Sequence, residues 1–227
     1  VCRPADLEAD GEGRATRLTD RASGASVAGI EHVLAALAGT GEWDVVVAVA
    51  GGEPPALDGS ALPFAEAIVG ARAPAPAAAA LVVRERIQVS VGGSSAVAVP
   101  SPGLVMEVSI EFDHPWVGRQ GMAWIQGAGD FVRDLAPART FGFEGEAGAL
   151  RARGLALGAG LDNALVIGRG GPVNPGGARF PDEPVRHKAL DLLGDLAVLG
   201  RPVLARITAR RPSHSLNLAL ARAIGAA

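Results

Sequence analysis

Asp182-Glu183-Pro184-Val185-Arg186-His187-Lys188-Ala189-Leu190-Asp191-Leu192-Leu193-Gly194-Asp195-Leu196 is the stretch on which the reading of this chain turns. Asp182 is a candidate N-cap, Pro184 falls in the first turn, and Gly200 followed by Pro202 marks a stop, so a helix is expected over residues 182–199. His187, Asp191 and Asp195 are spaced i, i+4, i+8 and share one stripe, with Leu192, Leu193, Leu196 and Leu199 opposite. A histidine and a carboxylate one turn apart can both reach one divalent ion, and a second histidine from elsewhere leaves a fourth position for water. Taken alone, the same residues also fit a solvated helix face with an i, i+4 pair.

Outward from this helix, the pattern alternates. Residues 30–38 predict a helix with Ile30, Val33, Leu34 and Leu37 on one face, and Glu31-His32 opens it. Residues 45–49 are an apolar, β-branched run and read as a strand. Asp58-Gly59-Ser60 leads into a second helix ending near Val69. The low-complexity ARAPAPAAAA that follows suggests a first domain at 1–72, a linker at 73–80 and a second domain at 81–227. In that second part, 81–91 and 96–99 read as a hairpin around Gly92-Gly93. Residues 104–112, 164–167 and 203–208 read as strands, and 131–136 and 215–223 as helices. Strands and helices mix without regular βα spacing, which predicts an α+β fold in two layers.

Composition narrows the function. Across 227 residues, 48% are hydrophobic, 20% are charged and the formal charge is −3, which argues for a globular protein without the basic field of a nucleic-acid binder. Cys2 is the only cysteine, so no intrachain disulfide can form and a reducing compartment is expected. No apolar run approaches the roughly 18 residues of a transmembrane segment. The first residue is Val, which suggests a fragment or processed form. Among 21 basic residues Lys188 is the only lysine, so it invites a specific task. The histidines are His32, His114, His187 and His214. His114, followed by Pro115, reads as a turn residue. A zinc hydrolase needs three ligands, a base and an acid. Glu31, His32, His187, Asp191 and His214 could supply that set, though spacing alone does not bring them together.

Several motifs carry a resemblance. Ile30-Glu31-His32 with Leu34-Ala35-Ala36-Leu37-Ala38-Gly39, Leu57-Asp58-Gly59-Ser60-Ala61, Ala138-Arg139-Thr140-Phe141-Gly142-Phe143, Leu161-Asp162-Asn163-Ala164, Val185-Arg186-His187-Lys188 with Leu190-Asp191 and Gly194-Asp195-Leu196, and His214 with Leu216-Asn217 occur in this order. Together they resemble the UDP-3-O-acyl-N-acetylglucosamine deacetylases of lipid A biosynthesis, cytoplasmic enzymes of Gram-negative bacteria. The resemblance implies two similar α+β domains with the site in the cleft between them, and zinc (Zn2+) held by His32, His187 and Asp191. It makes Glu31 the general base for the water that zinc activates. His214, held as a cation by Asp195, is the acid and oxyanion stabiliser, and the Thr140 hydroxyl helps at the oxyanion. Lys188, Phe112, Phe141, Phe143 and Arg211 match substrate-contact positions, and residues 144–167, with Leu150, Leu155, Leu157 and Leu161, match the acyl passage. The implied partner is a UDP-linked acylated amino sugar, and the chain is expected to be a monomer.

The family's N-terminal strands have no counterpart here, so the chain reads as N-terminally truncated, with a sheet edge left uncovered. Ala28-Gly29 stands where the family has a Ser-Thr cap, and small residues near Ser94-Ser95 replace a lysine. A zinc- and UDP-sugar-binding protein without catalysis, or an amidohydrolase on another acylated nucleotide sugar, are the alternatives.

Overall fold

The computed structural model describes residues 3–11, 15–71, 78–146, 148, 152, 158 and 160–227. Cys2, most of the expected linker, and Leu150, Leu155 and Leu157 lie outside the described residues. The elements run β1 (Leu7–Asp10), β2 (Arg17–Asp20), β3 (Ser26–Ala28), α1 (Glu31–Thr40), α2 (Leu62–Gly70), β4 (Leu81–Val82), β5 (Ile87–Val91), β6 (Ser94–Val99), β7 (Val105–Glu111), β8 (Arg119–Ile125) and α3 (Phe131–Asp134). Then follow β9 (Phe141–Phe143), β10 (Leu165–Gly168), β11 (Gly171–Pro172), α4 (Glu183–Leu196), β12 (Val203–Leu204), β13 (Arg206–Arg210) and α5 (His214–Gly225). This is a mixed α+β fold. Among the described residues, no helix is long and apolar enough to cross a membrane.

The main layer is a five-stranded sheet in the order β5-β6-β13-β7-β8. Side chains alternate across it. Ala96, Ala98, Met106, Val108, Ile110, Ile207 and Ala209 point inward and are buried, whereas Glu107 and Glu111 pair with arginines on the outer face. Helix α4 covers the inner face over β7 and β8, and α5 covers it over β5 and β6. A separate antiparallel sheet, β1-β2-β3, stands beside α1 on a smaller cluster built from Leu18, Ile30 and Val33.

Three expected strands change. Residues 81–91 break in two because β4 pairs with β12 whereas β5 pairs with β6, and the exposed Arg84-Glu85-Arg86 spans the change of partner. Residues 203–208 divide at buried Ala205 for the same reason: β12 serves β4, and β13 lies between β6 and β7. Residues 45–49 form no strand at all. A strand exists only as part of a ladder, and among the described residues this run has no ladder partner. Beyond its far end, Ala28 N–H donates to Gly52 O, and Val45, Val46 and Val47 are 47%, 72% and 43% exposed. They line an apolar groove of about 530 Å³ together with Leu18, Ile30, Leu34 and Leu37. Strand β8 had no clear signal in the sequence.

Helix α4 begins one residue later than expected and closes with a short 3-10 turn at Ala197–Leu199. Asp182 occupies the cap position, but its carboxylate accepts from Arg186 Nε at 2.6 Å instead of capping the backbone. The helix is enclosed nearly all round. His187, Asp191 and Asp195 are 3%, 2% and 0% exposed, which rules out a solvated face. Helix α1 packs directly on α4. A Cβ on Gly194 would lie 2.1 Å from Glu31 O, so only a residue without a side chain permits this crossing. Ala35, Ala36 and Ala38 of α1 are fully buried, which keeps the interface thin.

The start of α4 is tied to the loop ahead of β9 by a buried carboxylate. Glu183 accepts from Arg139 Nε (2.8 Å), Arg139 Nη2 (3.1 Å), Arg139 N–H (3.0 Å) and Arg179 N–H (2.6 Å). Burial by itself raises the Glu183 pKa, but the guanidinium and the two amides outweigh it and hold the group below 4.5. Gly59 docks on the same loop. Its carbonyl accepts from Thr140 N–H at 2.7 Å, and at φ +80 a Cβ there would lie 2.1 Å from Asn163 O.

Two outcomes follow from these contacts. Gly194→Ala gains helix propensity but must push α1 from α4, so a net loss of about 1–3 kcal/mol is expected in urea unfolding. A stabilised variant would mean that the helices do not touch there. Glu183→Gln leaves Arg139 unpaired in the interior, at a cost of about 3–5 kcal/mol near neutral pH. Because the folded-state pKa of Glu183 is depressed, its contribution is complete above its unfolded value of 4.5 and lost as pH falls through the folded value. The gap between wild type and variant should therefore narrow in acid, and a gap independent of pH would contradict the ionised pairing.

Candidate metal centre and active site

The crossing of α1 on α4 brings two histidines and an aspartate to one place. The ligand atoms of His32, His187 and Asp191 all lie within 4.8 Å of one another. His187 Nε2 is 3.3 Å and His32 Nε2 is 3.8 Å from Asp191 Oδ1. Those separations suit three corners of a tetrahedron whose metal bonds are about 2.0–2.2 Å. Asp191 Oδ1 is buried and has no hydrogen-bond partner among the described residues, which is costly unless a cation takes that place. His187 Nδ1 faces Ala138 O at 3.0 Å, so it donates there and leaves Nε2 free toward the cluster. The residues fit a divalent metal ion.

Protonation follows the same logic. Burial, and then the neighbouring His187, push His32 down to about 3, and burial likewise lowers His187, so both rings are neutral, the form in which an imidazole can bind a metal. Burial raises the Asp191 pKa, but His187, Lys188, His214 and His32 outweigh it and hold the carboxylate ionised. Glu31 is raised to about 7, chiefly by burial, with His214 opposing and Asp191 and Asp195 adding to it. For His214 burial acts downward, but Asp195 and Asp191 prevail and lift it to about 9.

His214 opens α5, whose first turn is capped by the Ser213 hydroxyl accepting from Leu216 N–H at 3.3 Å. Its Nδ1–H donates to Asp195 Oδ2 at 2.9 Å, and Nε2 stands 3.9 Å from Asp191 Oδ2 on the metal side. Asn217 Nδ2 donates to the same Asp195 oxygen at 2.8 Å. Glu31, His32, Thr140, Phe112, Phe141, Phe143, His187, Lys188, Asp191 and His214 line one cleft of about 330 Å³. Phe112, Phe141 and Phe143 form an aromatic wall with ring centroids 5.4–6.3 Å apart. Lys188 Nζ donates to Asp191 Oδ2 at 2.9 Å and lies 5.8 Å from the Phe141 ring centroid.

Of the residues named from the sequence, two stand apart from the cleft wall. Asp195 sits behind His214, held against its Nδ1, and does not line the cleft. Arg211, at φ 51, donates to Glu111 Oε2 at 2.5 Å on the exposed outer face of the sheet and does not line the cleft. His114 forms a turn, with Gly118 N–H donating to its carbonyl, and its ring rests 5.2 Å from that of Phe143.

Sequence reasoning gave no role to Thr16, Glu183, Arg139 or Asn217. Glu183 continues the stripe of His187, Asp191 and Asp195 one turn back, and Asn217 is one turn after His214, so helical spacing could have found both. Thr16 carried no signal.

Residues 4–226 match the family model described as UDP-3-O-acyl N-acetylglycosamine deacetylase. The UDP-3-O-acyl-N-acetylglucosamine deacetylase of Thermosynechococcus vestitus is 44% identical over 205 residues, 89% of this chain and 71% of that protein. Its namesake from an Anaeromyxobacter species is 44% identical over 202 residues, 88% of this chain and 66% of the relative. The Myxococcus xanthus protein of that name is 40% identical over 203 residues, 88% and 65% of the two chains. The matched region thus spans about two thirds of the length of these relatives. With the match covering nearly every residue, this chain belongs to the UDP-3-O-acyl N-acetylglycosamine deacetylase family.

Proposed function

We propose that this chain is a zinc-dependent deacetylase that removes the N-acetyl group from UDP-3-O-(3-hydroxyacyl)-N-acetylglucosamine and releases acetate in lipid A biosynthesis. The observation that carries the reading is the unpartnered Asp191 Oδ1 facing His32 and His187, with a carboxylic acid and an imidazolium on either side. The names of the relatives supply the substrate class.

His32, His187 and Asp191 would hold the zinc. When bound there, zinc supplies Lewis acidity, polarising an amide carbonyl and acidifying water. Glu31 takes the proton from the attacking water, and a pKa raised to about 7 suits a base working near neutrality. The Thr140 hydroxyl donates to the carbonyl oxygen as it gains charge. As the carbon–nitrogen bond breaks, His214 gives its Nε2 proton to the departing nitrogen, so that amine rather than amide anion leaves. Asp195 keeps that ring charged and oriented. A purely binding protein would need neither the base nor the acid.

Phe112, Phe141 and Phe143 offer faces for the uracil ring. Lys188 retains two further N–H donors for the diphosphate while one is held by Asp191. Arg211 would contact only a nucleotide that extends over the rim. The acyl chain is assigned to residues 144–167, where Leu161 is exposed. The setting is cytoplasmic, with the chain acting as a monomer.

Metal analysis separates ligands from catalysts. The purified wild type should carry one zinc per chain, and His187→Ala and Asp191→Ala should each lose it; stoichiometric zinc in both variants would remove the ligand assignment. Glu31→Ala and His214→Ala should keep the metal and lose about 10²–10⁴ in acetate-release rate. If Glu31→Ala stays within a few-fold of wild type, the base is another residue.

A further inference from the structure

Thr16 lies in the polar stretch before β2, is fully buried, and touches both halves of the acid–base pair. Its backbone N–H donates to Glu31 Oε2 at 3.0 Å. Its hydroxyl donates to Asp195 Oδ1 at 2.5 Å, and the same oxygen lies 3.3 Å from His214 Nδ1. A hydroxyl has one proton to give. With Asp195 taking it, the Thr16 oxygen faces the His214 Nδ1–H as a second, longer acceptor beside Asp195 Oδ2. The carbonyl of Thr16 adds a third tie, accepting from Ile30 N–H at 3.5 Å at the start of α1. Among the described residues no side chain caps that helix, and the Thr16 carbonyl holds its N-cap residue instead.

Nearby, Gly11 ends the same connection against the other catalytic element. A Cβ there would lie 2.6 Å from the His214 carbonyl carbon and from Ser215 N, and Ser215 Oγ donates to Gly11 O at 3.2 Å. The first sheet therefore reaches the centre at two points, one on α5 and one between α1 and α4.

We propose that Thr16 is a positioning residue, which sets Glu31 through its amide and the Asp195–His214 pair through its hydroxyl. Asp195 then has both oxygens fixed: Oδ1 by Thr16, Oδ2 by His214 and Asn217. A carboxylate held at both oxygens cannot rotate, so the imidazole Nε2–H keeps its aim across the cleft. With Oε2 occupied by the Thr16 amide, Glu31 has Oε1 left for water. Base and acid come from helices far apart in sequence, and one residue sets the distance between them.

This inference rests on the deacetylase reading for its rate measurements, but not for its spectroscopic one. Thr16→Val removes the hydroxyl at nearly constant volume and keeps the amide; Thr16→Ser restores the hydroxyl. Three quantities are read on each chain: zinc content, the KM and kcat of acetate release, and the low-field proton resonance of His214 Nδ1–H, assigned by its loss in His214→Gln. Expected for Thr16→Val are unchanged zinc, unchanged KM, a kcat lower by about 10- to 100-fold and a shifted or broadened resonance. Thr16→Ser should return kcat to within a few-fold and the resonance to its place. If Thr16→Val cannot be purified folded, Thr16→Cys, with its weak S–H donor, is read in the same way.

An unmoved resonance in the variant without the hydroxyl overturns the proposal, whatever happens to kcat. So does an equal loss in the Val and Ser variants, which would make the residue a matter of volume alone. If wild type releases no acetate yet the resonance moves in Val and not in Ser, the deacetylase reading fails and the positioning role stands.

Discussion

The site exists because two helix backbones touch. Helix packing ordinarily holds axes about 8–10 Å apart, with side chains filling the gap. Here Gly194 on one helix and a run of alanines on the other remove that filling, and the carbonyl of Glu31 rests where a Cβ would stand. Only at this spacing do the His32 and His187 rings meet edge to face with centroids 5.0 Å apart. His32 from α1 and the His187–Asp191 pair from α4 thus share one constraint, and Glu31 beside His32 arrives with it. The same glycine that weakens α4 as an isolated helix is the reason that the helix has a function.

Bringing these groups together concentrates negative charge in the interior. Asp191, Asp195 and, once ionised, Glu31 are buried together, and among the described residues Lys188 and His214 are the positive charges that line the cleft. Buried charge that is not matched is expensive. Asp195 is fully matched, by His214, Asn217 and Thr16. Asp191 is matched on one oxygen by Lys188 and bare on the other. The imbalance sits at the atom that points toward two neutral imidazoles, which is the arrangement a divalent cation completes.

Much of this was legible in the sequence where local rules decide. The long helix, the i, i+4 pair and the α+β class came from periodicity, a proline in the first turn and a glycine stop, all of which act within a few residues. What failed was decided elsewhere in the chain. Residues 45–49 have every propensity of a strand, yet a ladder needs a second backbone, and none lies alongside among the described residues. Residues 81–91 and 203–208 broke where the chain changed partner, an event that no window of sequence contains. Thr16 was invisible for the same reason: its hydroxyl partner is 179 residues away, and a threonine among charged residues looks like any surface position.

The division of labour in the cleft follows from environment more than from residue type. Glu31 and His214 both have raised pKa values, but for opposite reasons. The carboxylic acid is raised because burial removes water from its charged form, and the imidazole because two carboxylates stabilise its charged form despite burial. Near neutral pH this leaves a carboxyl close to giving and taking its proton and an imidazole that already carries one. Two titratable groups lining one cleft, with their protonation ordered in this way, are suited to serve as a base and an acid. The order depends on Asp195 staying fixed behind His214. A contact that holds Asp195 therefore governs which of the two groups can give up a proton, although it never touches the substrate.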